Sequence, residues 1–253
     1  MPAGSLDRWP EDYERGRPSY PPQAVEVARL PDHATVLDLG AGTGKLTRLL
    51  VRSFDRVLAV EPAEPMRRML EKTCPGVDAL DGSAEQIPLA DSSVDAVFAA
   101  ECFTHFDGPR ALAEIARVLR PGSPLVLLWN VPSAPTEPSL EAVEGLVAPY
   151  WPRWETIGPL KGDLVPPRFT SDEWRLAFVG SPFEELEETR LPNTQIVDRD
   201  AIVAFFASMG WIADLPDEER LPLLDEVQSR LPEADYQRFW ETRIHSTRVR
   251  KQG

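Results

Sequence analysis

Asp38, Gly40, Gly42, Gly44 and Glu61 are the residues whose types and spacing carry the most chemistry. The first four lie in Val36-Leu37-Asp38-Leu39-Gly40-Ala41-Gly42-Thr43-Gly44-Lys45-Leu46-Thr47-Arg48-Leu49-Leu50, which reads as a buried strand, a glycine turn and a helix. Such a turn binds a ligand with backbone groups rather than side chains. The dinucleotide fingerprint needs glycine at its first, third and sixth positions. Counted from Gly40 the sixth is Lys45, and from Gly42 it is Thr47, so the spacing is wrong for NAD. A Walker loop fails too, because Lys45 is followed by Leu46 and no Gly-Lys-Ser/Thr occurs in the chain. Asp38 sets the sign of the ligand, since a carboxylate at a strand's mouth repels pyrophosphate and suits an ammonium or sulfonium group. Seventeen residues after Gly44, the strand candidate Arg56-Val57-Leu58-Ala59-Val60 ends in Glu61, where an acid accepts ribose hydroxyls and excludes a 2′-phosphate.

The elements that must position these residues follow from periodicity. Strand candidates at 36–39, 57–60, 77–80, 94–100 and 124–131 alternate with helical candidates at 44–53, 63–73 and 108–119. That is the rhythm of an α/β fold, a doubly wound, mostly parallel sheet covered on both faces. Right-handed crossovers gather the loops after the first four strands along one edge of the sheet, where such folds bind ligands. Beyond Asn130 eight prolines from Pro132 to Pro167 break the chain among Trp151 and Trp154, which reads as an inserted cap over 132–175. A short helix is expected at 171–179, a strand over Phe183 to Leu191, helices at 199–208 and 217–231, and a final edge strand from Tyr236 to Arg250.

Three further stretches follow the glycine turn in order: Gly82-Ser83-Ala84-Glu85-Gln86-Ile87-Pro88-Leu89, Ser93-Val94-Asp95-Ala96-Val97-Phe98, and Ala111 through Leu119-Arg120-Pro121-Gly122. Together the four motifs, spanning about residues 13 to 131, resemble the class I S-adenosylmethionine-dependent methyltransferases. The Tyr13-Glu14-Arg15-Gly16-Arg17-Pro18-Ser19-Tyr20-Pro21 segment is similar to one in small-molecule members, the methyltransferase type 11 and trans-aconitate methyltransferase-like proteins. The resemblance implies a seven-stranded Rossmann-like sheet whose last strand runs antiparallel between the fifth and sixth, with an inserted helical cap. It also implies a cofactor-capping segment at 1–31, a cofactor-binding core at 32–131, and a cap with the C-terminal completion of the same catalytic domain at 132–253.

On that resemblance the cofactor is S-adenosylmethionine, leaving as S-adenosylhomocysteine. Gly40, Ala41, Gly42 and Gly44 would approach its methionine part, with Asp38 near the amino group and Glu61-Pro62 at the ribose. Met66 is either helix packing or an apolar wall against adenine. Ser83 stands where much of the family carries aspartate for the adenine amino group, with Ala84 and Glu85 beside it. Tyr13 and Arg17 would cap the cofactor, Arg17 facing its carboxylate; the plain alternative is a solvated arm. On the acceptor side Ala100-Glu101-Cys102-Phe103-Thr104-His105-Phe106-Asp107 follows the fourth strand, and relatives often carry Gln, His and Trp where Glu101, Thr104 and His105 stand. His105 and Glu101 are the candidate catalytic groups, with structural packing as the alternative. The aromatic residues Trp151, Trp154, Phe169 and Trp174 are either an acceptor pocket or core.

Composition bounds the function classes. The 253-residue chain has 27 basic and 41 acidic residues and a net charge of −14, a poor match for nucleic acid. Residues 1–17 lack the apolar centre of a signal peptide, and the apolar run Leu125–Trp129 is too short to cross a bilayer, so a cytoplasmic enzyme without membrane partners is expected. Two cysteines and three histidines without ligand spacing argue against a disulfide scaffold and a metal site. The expected activity is methyl transfer to an oxygen, nitrogen or carbon nucleophile of a small-molecule acceptor. Its rivals are a cofactor-binding module without catalysis, an aminopropyltransferase and an NAD dehydrogenase. The acceptor and the oligomeric state stay open.

Overall fold

The computed structural model describes residues 9–133, 138–150 and 172–250. In chain order the elements are α1 (Pro10–Gly16), β1 (Thr35–Leu39), α2 (Thr47–Leu50), β2 (Arg56–Val60), α3 (Glu64–Thr73), β3 (Asp78–Leu80), β4 (Ala96–Ala100), α4 (Gly108–Val118), β5 (Pro124–Pro132), α5 (Pro138–Val147), β6 (Glu187–Asp198), α6 (Arg199–Ala207), α7 (Gly210–Ala213), α8 (Asp217–Arg230) and β7 (Asp235–Arg248). The seven strands form one sheet ordered β3-β2-β1-β4-β5-β7-β6. Strands β1 to β5 pair in parallel. β5 and β7 run antiparallel, as the bonds from Val249 N–H to the Ser123 carbonyl and from Ser133 N–H to the Phe239 carbonyl require.

Side chains alternate across the parallel strands. Leu37, Leu39, Leu58, Val60, Val97, Ala99, Leu125 and Leu127 bury one face, against Leu112, Ile115 and Val118 of α4. Val36, Val57, Ala96, Phe98, Val126 and Leu128 bury the other, against Ala24, Val25, Leu46, Leu49 and Leu50. That two-sided burial is why these strands are nearly continuous apolar runs. α4 is started by Asp107, whose carboxylate accepts the Arg110 N–H, and its buried residues 111, 112, 115 and 118 recur at helical spacing.

The chain divides into two compact units. One comprises residues 1–18, 132–165 and 194–240, the other 19–131, 166–193 and 241–253. The first has its own core, in which Leu140, Val143 and Val147 of α5 meet Ile202 and Phe206 of α6, Leu223 and Val227 of α8, and Tyr236 and Trp240. The units interleave along the chain, whereas the division expected at 31 and 131 follows its order.

Several expected elements are revised. The helix read at 44–53 is regular only over Thr47–Leu50, because Gly44, at φ +88°, belongs to the turn. The strand expected over 183–191 spans 187–198 instead, and Phe183 makes only an isolated bridge to Val249. The last strand is no edge: it lies between β5 and β6, as the resemblance implied, and β6 takes the edge. The 171–179 helix is a 3-10 turn over Glu173–Phe178. Its Trp174 is core, packed on Phe103, Trp129 and Phe178, which excludes it from a solvent-facing pocket. Trp151, Trp154 and Phe169 lie outside the described residues. No helix among the described residues is long and apolar enough to cross a membrane.

Candidate cofactor and methyl-transfer site

Register builds the site. Leu39 is paired with Val60, so the chain leaves β1 beside the point where it leaves β2. The Gly40 and Ala41 N–H groups both donate to the Val60 carbonyl, at 2.8 and 3.1 Å, and Glu61 follows immediately. Glu61 is buried, and its carboxylate ties the two loops together. Oε2 accepts the Gly42 N–H at 2.8 Å and Oε1 accepts the Ala63 N–H at 3.0 Å. Arg67 holds the following turn from its other side, donating to the carbonyls of Glu61 and Pro62 at 2.7 Å.

Gly40 has φ +70°, and a Cβ there would lie 2.8 Å from the Cys102 sulfur, so only glycine lets the first turn close over the loop after β4. Cys102 Sγ donates to the Leu39 carbonyl at 3.2 Å, and burial raises its thiol pKa well above the ordinary value. Within the turn, the Thr43 hydroxyl is fully buried and has no hydrogen-bond partner among the described residues. A buried hydroxyl of this kind is costly unless something bonds it.

Asp38, on the last turnward part of β1, is 1% exposed and accepts the Thr47 hydroxyl on Oδ2 at 2.6 Å. Burial, opposed by that bond and reinforced by the negative charge of Glu61, lifts its pKa to about 7. Two carboxylates in one desolvated corner favour a cationic ligand over a phosphate.

Met66 and Ala84 are buried, while Pro62 is exposed. Ser83 exchanges backbone bonds with Gln86, closing a tight turn that presents Ala84. The Glu85 carboxylate accepts the Asp107 N–H at 2.9 Å, which steadies the start of α4. Sequence reasoning missed Arg117, which donates to the carbonyls of Ile87 and Leu89 and pairs with Glu114 and Asp91, so that it anchors the whole 83–91 loop.

After β4, Glu101 sits at φ +62°, a conformation that L-residues adopt at some cost. Its N–H donates to the Leu128 carbonyl, and its Oε1 accepts the Asn130 N–H at 2.6 Å. Asn130 is a second residue that sequence reasoning passed over. Its Oδ1 accepts from Thr242 Oγ1 at 2.6 Å and Asn193 Nδ2 at 3.0 Å, and its Nδ2 donates to the Ser19 carbonyl at 3.2 Å. The only sequence signal was its place as the first polar residue after a buried apolar strand. His105 ends the 3-10 turn Phe103–His105 and is half-buried.

Tyr13 and Arg17 belong to the other unit. There Arg17 donates from Nε to the Ser208 hydroxyl at 2.9 Å and from Nη2 to the Ser208 carbonyl at 2.8 Å, with its guanidinium 5.4 Å from the Tyr13 ring centre. His245 is buried among Trp129, Trp174 and Arg175. Burial, followed by the Arg175 charge, lowers its pKa to about 4.

Residues 37–127 match the family model described as a methyltransferase domain. An uncharacterized methyltransferase of Mycobacterium tuberculosis is 40% identical over 220 residues, which cover 87% of this chain and 82% of the relative. One from Schizosaccharomyces pombe is 33% identical over 231 residues, covering 88% of this chain and 86% of the relative. A solved structure described as a candidate type II methyltransferase, from Anaeromyxobacter dehalogenans, aligns with a TM-score of 0.64 at 27% identity, covering 93% of this chain and 99% of its own. With the glycine turn, the acid after β2 and the sheet order, these likenesses assign the chain to the class I S-adenosylmethionine-dependent methyltransferases.

Proposed function

We propose that this chain methylates an oxygen, nitrogen or carbon nucleophile of a small-molecule acceptor. The observation that carries the cofactor side is the pairing of two buried carboxylates, Asp38 and Glu61, around a glycine turn with an unsatisfied buried hydroxyl at Thr43. These residues fit S-adenosylmethionine, whose sulfonium supplies an already electrophilic methyl carbon. Asp38 meets the positive end of the ligand, the Gly40 to Gly44 backbone its methionine part, and Glu61 its ribose hydroxyls. Met66 and Ala84 flank the base, with Ser83 and Glu85 at its polar edge. The excess of acidic side chains supports a small acceptor over a nucleic acid.

The chain's own contribution to the reaction is alignment and exclusion of water. Glu101, whose Oε1 accepts the Asn130 N–H, and His105 are the groups on the loop after β4 to which we assign handling of the acceptor's proton, His105 first. Incubation with cofactor labelled on its methyl group, against a panel of small nucleophiles, tests the activity: label should pass to a small product. Transfer only to nucleic acid, or none while the cofactor binds, would contradict it. With an acceptor in hand, His105→Ala should lower turnover about 10²–10⁴-fold and leave cofactor affinity unchanged. Full turnover at every pH would remove His105 from the chemistry.

A further inference from the structure

Three arginines in the unit formed by residues 1–18, 132–165 and 194–240 lie against aromatic rings, and two of them have protein acceptors. Arg220 lies 3.9 Å from the Trp9 ring centre and donates from Nη2 to Asp12 Oδ2 at 2.9 Å. Arg17 is bonded twice to Ser208. Arg238, on β7, is different. It is 9% exposed, with its guanidinium carbon 4.9 Å from the Phe205 ring centre and 5.1 Å from that of Trp240. Among the described residues it has no hydrogen bond or ion pair, and its Nη1 is wholly buried without a partner. The Glu144 carboxylate also acts on its charge.

Ring faces attract a guanidinium, but they do not accept its in-plane N–H groups, and a buried cation without a counter-ion is costly. The Asp12 carboxylate gives buried Arg220 a counter-ion, although the Arg220 Nε is also buried without a partner. At Arg238 no such counter-ion is present among the described residues.

We propose that Arg238 anchors the carboxylate of a small organic anion, held within this unit beside Phe205 and Trp240. The planar fork of the guanidinium suits a carboxylate in particular. Arg17, bonded to the neutral Ser208, keeps its charge and lies 5.5 Å from the centre of the same Phe205 ring, which adds to the attraction for an anion. The anion site stands independently of the methyl-transfer reading.

Benzoate and benzamide, equal in shape and different in charge, test this at constant ionic strength. The wild-type protein should bind benzoate saturably and about 10–100-fold more tightly than benzamide, with movement of the Arg238 guanidinium ¹⁵N resonances. Arg238→Met should lose that preference and keep its affinity for S-adenosylhomocysteine. Equal binding of the two probes, unmoved Arg238 resonances, or benzoate affinity retained in Arg238→Met would overturn the anchor. Inorganic phosphate binding more tightly than benzoate would overturn the choice of a carboxylate. The resonance measurement uses only the wild-type chain and decides the matter should Arg238→Met misfold. Benzoate binding without any S-adenosylhomocysteine binding would sink the methyl-transfer reading and leave the anchor standing.

Discussion

Asp38 and Arg238 are both charges drawn out of water, one at the end of β1 and the other in the helical unit, yet they are held in opposite ways. Asp38 has a short bond from Thr47, a backbone frame set by strand register and a pKa lifted to about 7. Arg238 has two ring faces and, among the described residues, no acceptor. The contrast teaches that the corner around the glycine turn is framed by backbone geometry. The helical unit builds its polarity from isolated side chains. Ligand class is therefore read from the first and ligand identity from the second.

The largest expected effect separates these two modes through pH. The folded-state pKa of Asp38 lies above the 3.8 of an exposed aspartate. Its carboxyl group therefore favours the folded state most at pH below about 4, and that contribution is lost as pH rises to about 7. A shift from 3.8 to about 7 corresponds to roughly 4 kcal/mol at most. His245 works in the opposite sense: its pKa is lowered from 6.5 to about 4, so its contribution is present above 6.5 and lost as the medium acidifies towards 4. Asp38→Asn should therefore be more stable than the wild type at pH 8, an advantage that shrinks as the pH falls to 4, with cofactor affinity reduced. Denaturant unfolding at pH 4 to 8 reads this, and a variant less stable at pH 8 would make Asp38 a structural carboxylate instead.

Much of the glycine-turn unit was legible in the sequence because its chemistry is local. Gly40, Gly44 and Glu61 sit where short-range spacing puts them, and the parallel register carries Glu61 to Gly42 without help from distant residues. The Asn130 cluster was not legible. Its partners Ser19, Asn193 and Thr242 are more than sixty residues away in the chain, and β7 brings Thr242 in only through antiparallel pairing. Trp174 stayed open between pocket and core for a related reason, since its apolar neighbours come from β5 and the turn after β4. Nothing in the pattern of β7 distinguished Arg238 from the other arginines along it.

A smaller effect sharpens the picture of the helical unit. Asp198 caps α6, accepting the Ala201 N–H at 2.8 Å, and also pairs with Arg15 at a site about half exposed. Asp198→Ala should cost about 1 kcal/mol of stability through the lost cap. Arg15→Ala should cost about 0.5 kcal/mol or less, because an exposed ion pair is screened. Equal losses in thermal unfolding would assign that corner to charge rather than to capping.

The most direct test of the paired-carboxylate account is calorimetric titration of S-adenosylhomocysteine and of NAD into the wild-type chain and a folded Glu61→Ala variant. The account predicts saturable binding of S-adenosylhomocysteine, no measurable binding of NAD, and a loss of about 10–100-fold in affinity on removing the Glu61 carboxylate. Binding of NAD without S-adenosylhomocysteine, or an affinity unchanged in Glu61→Ala, would contradict it.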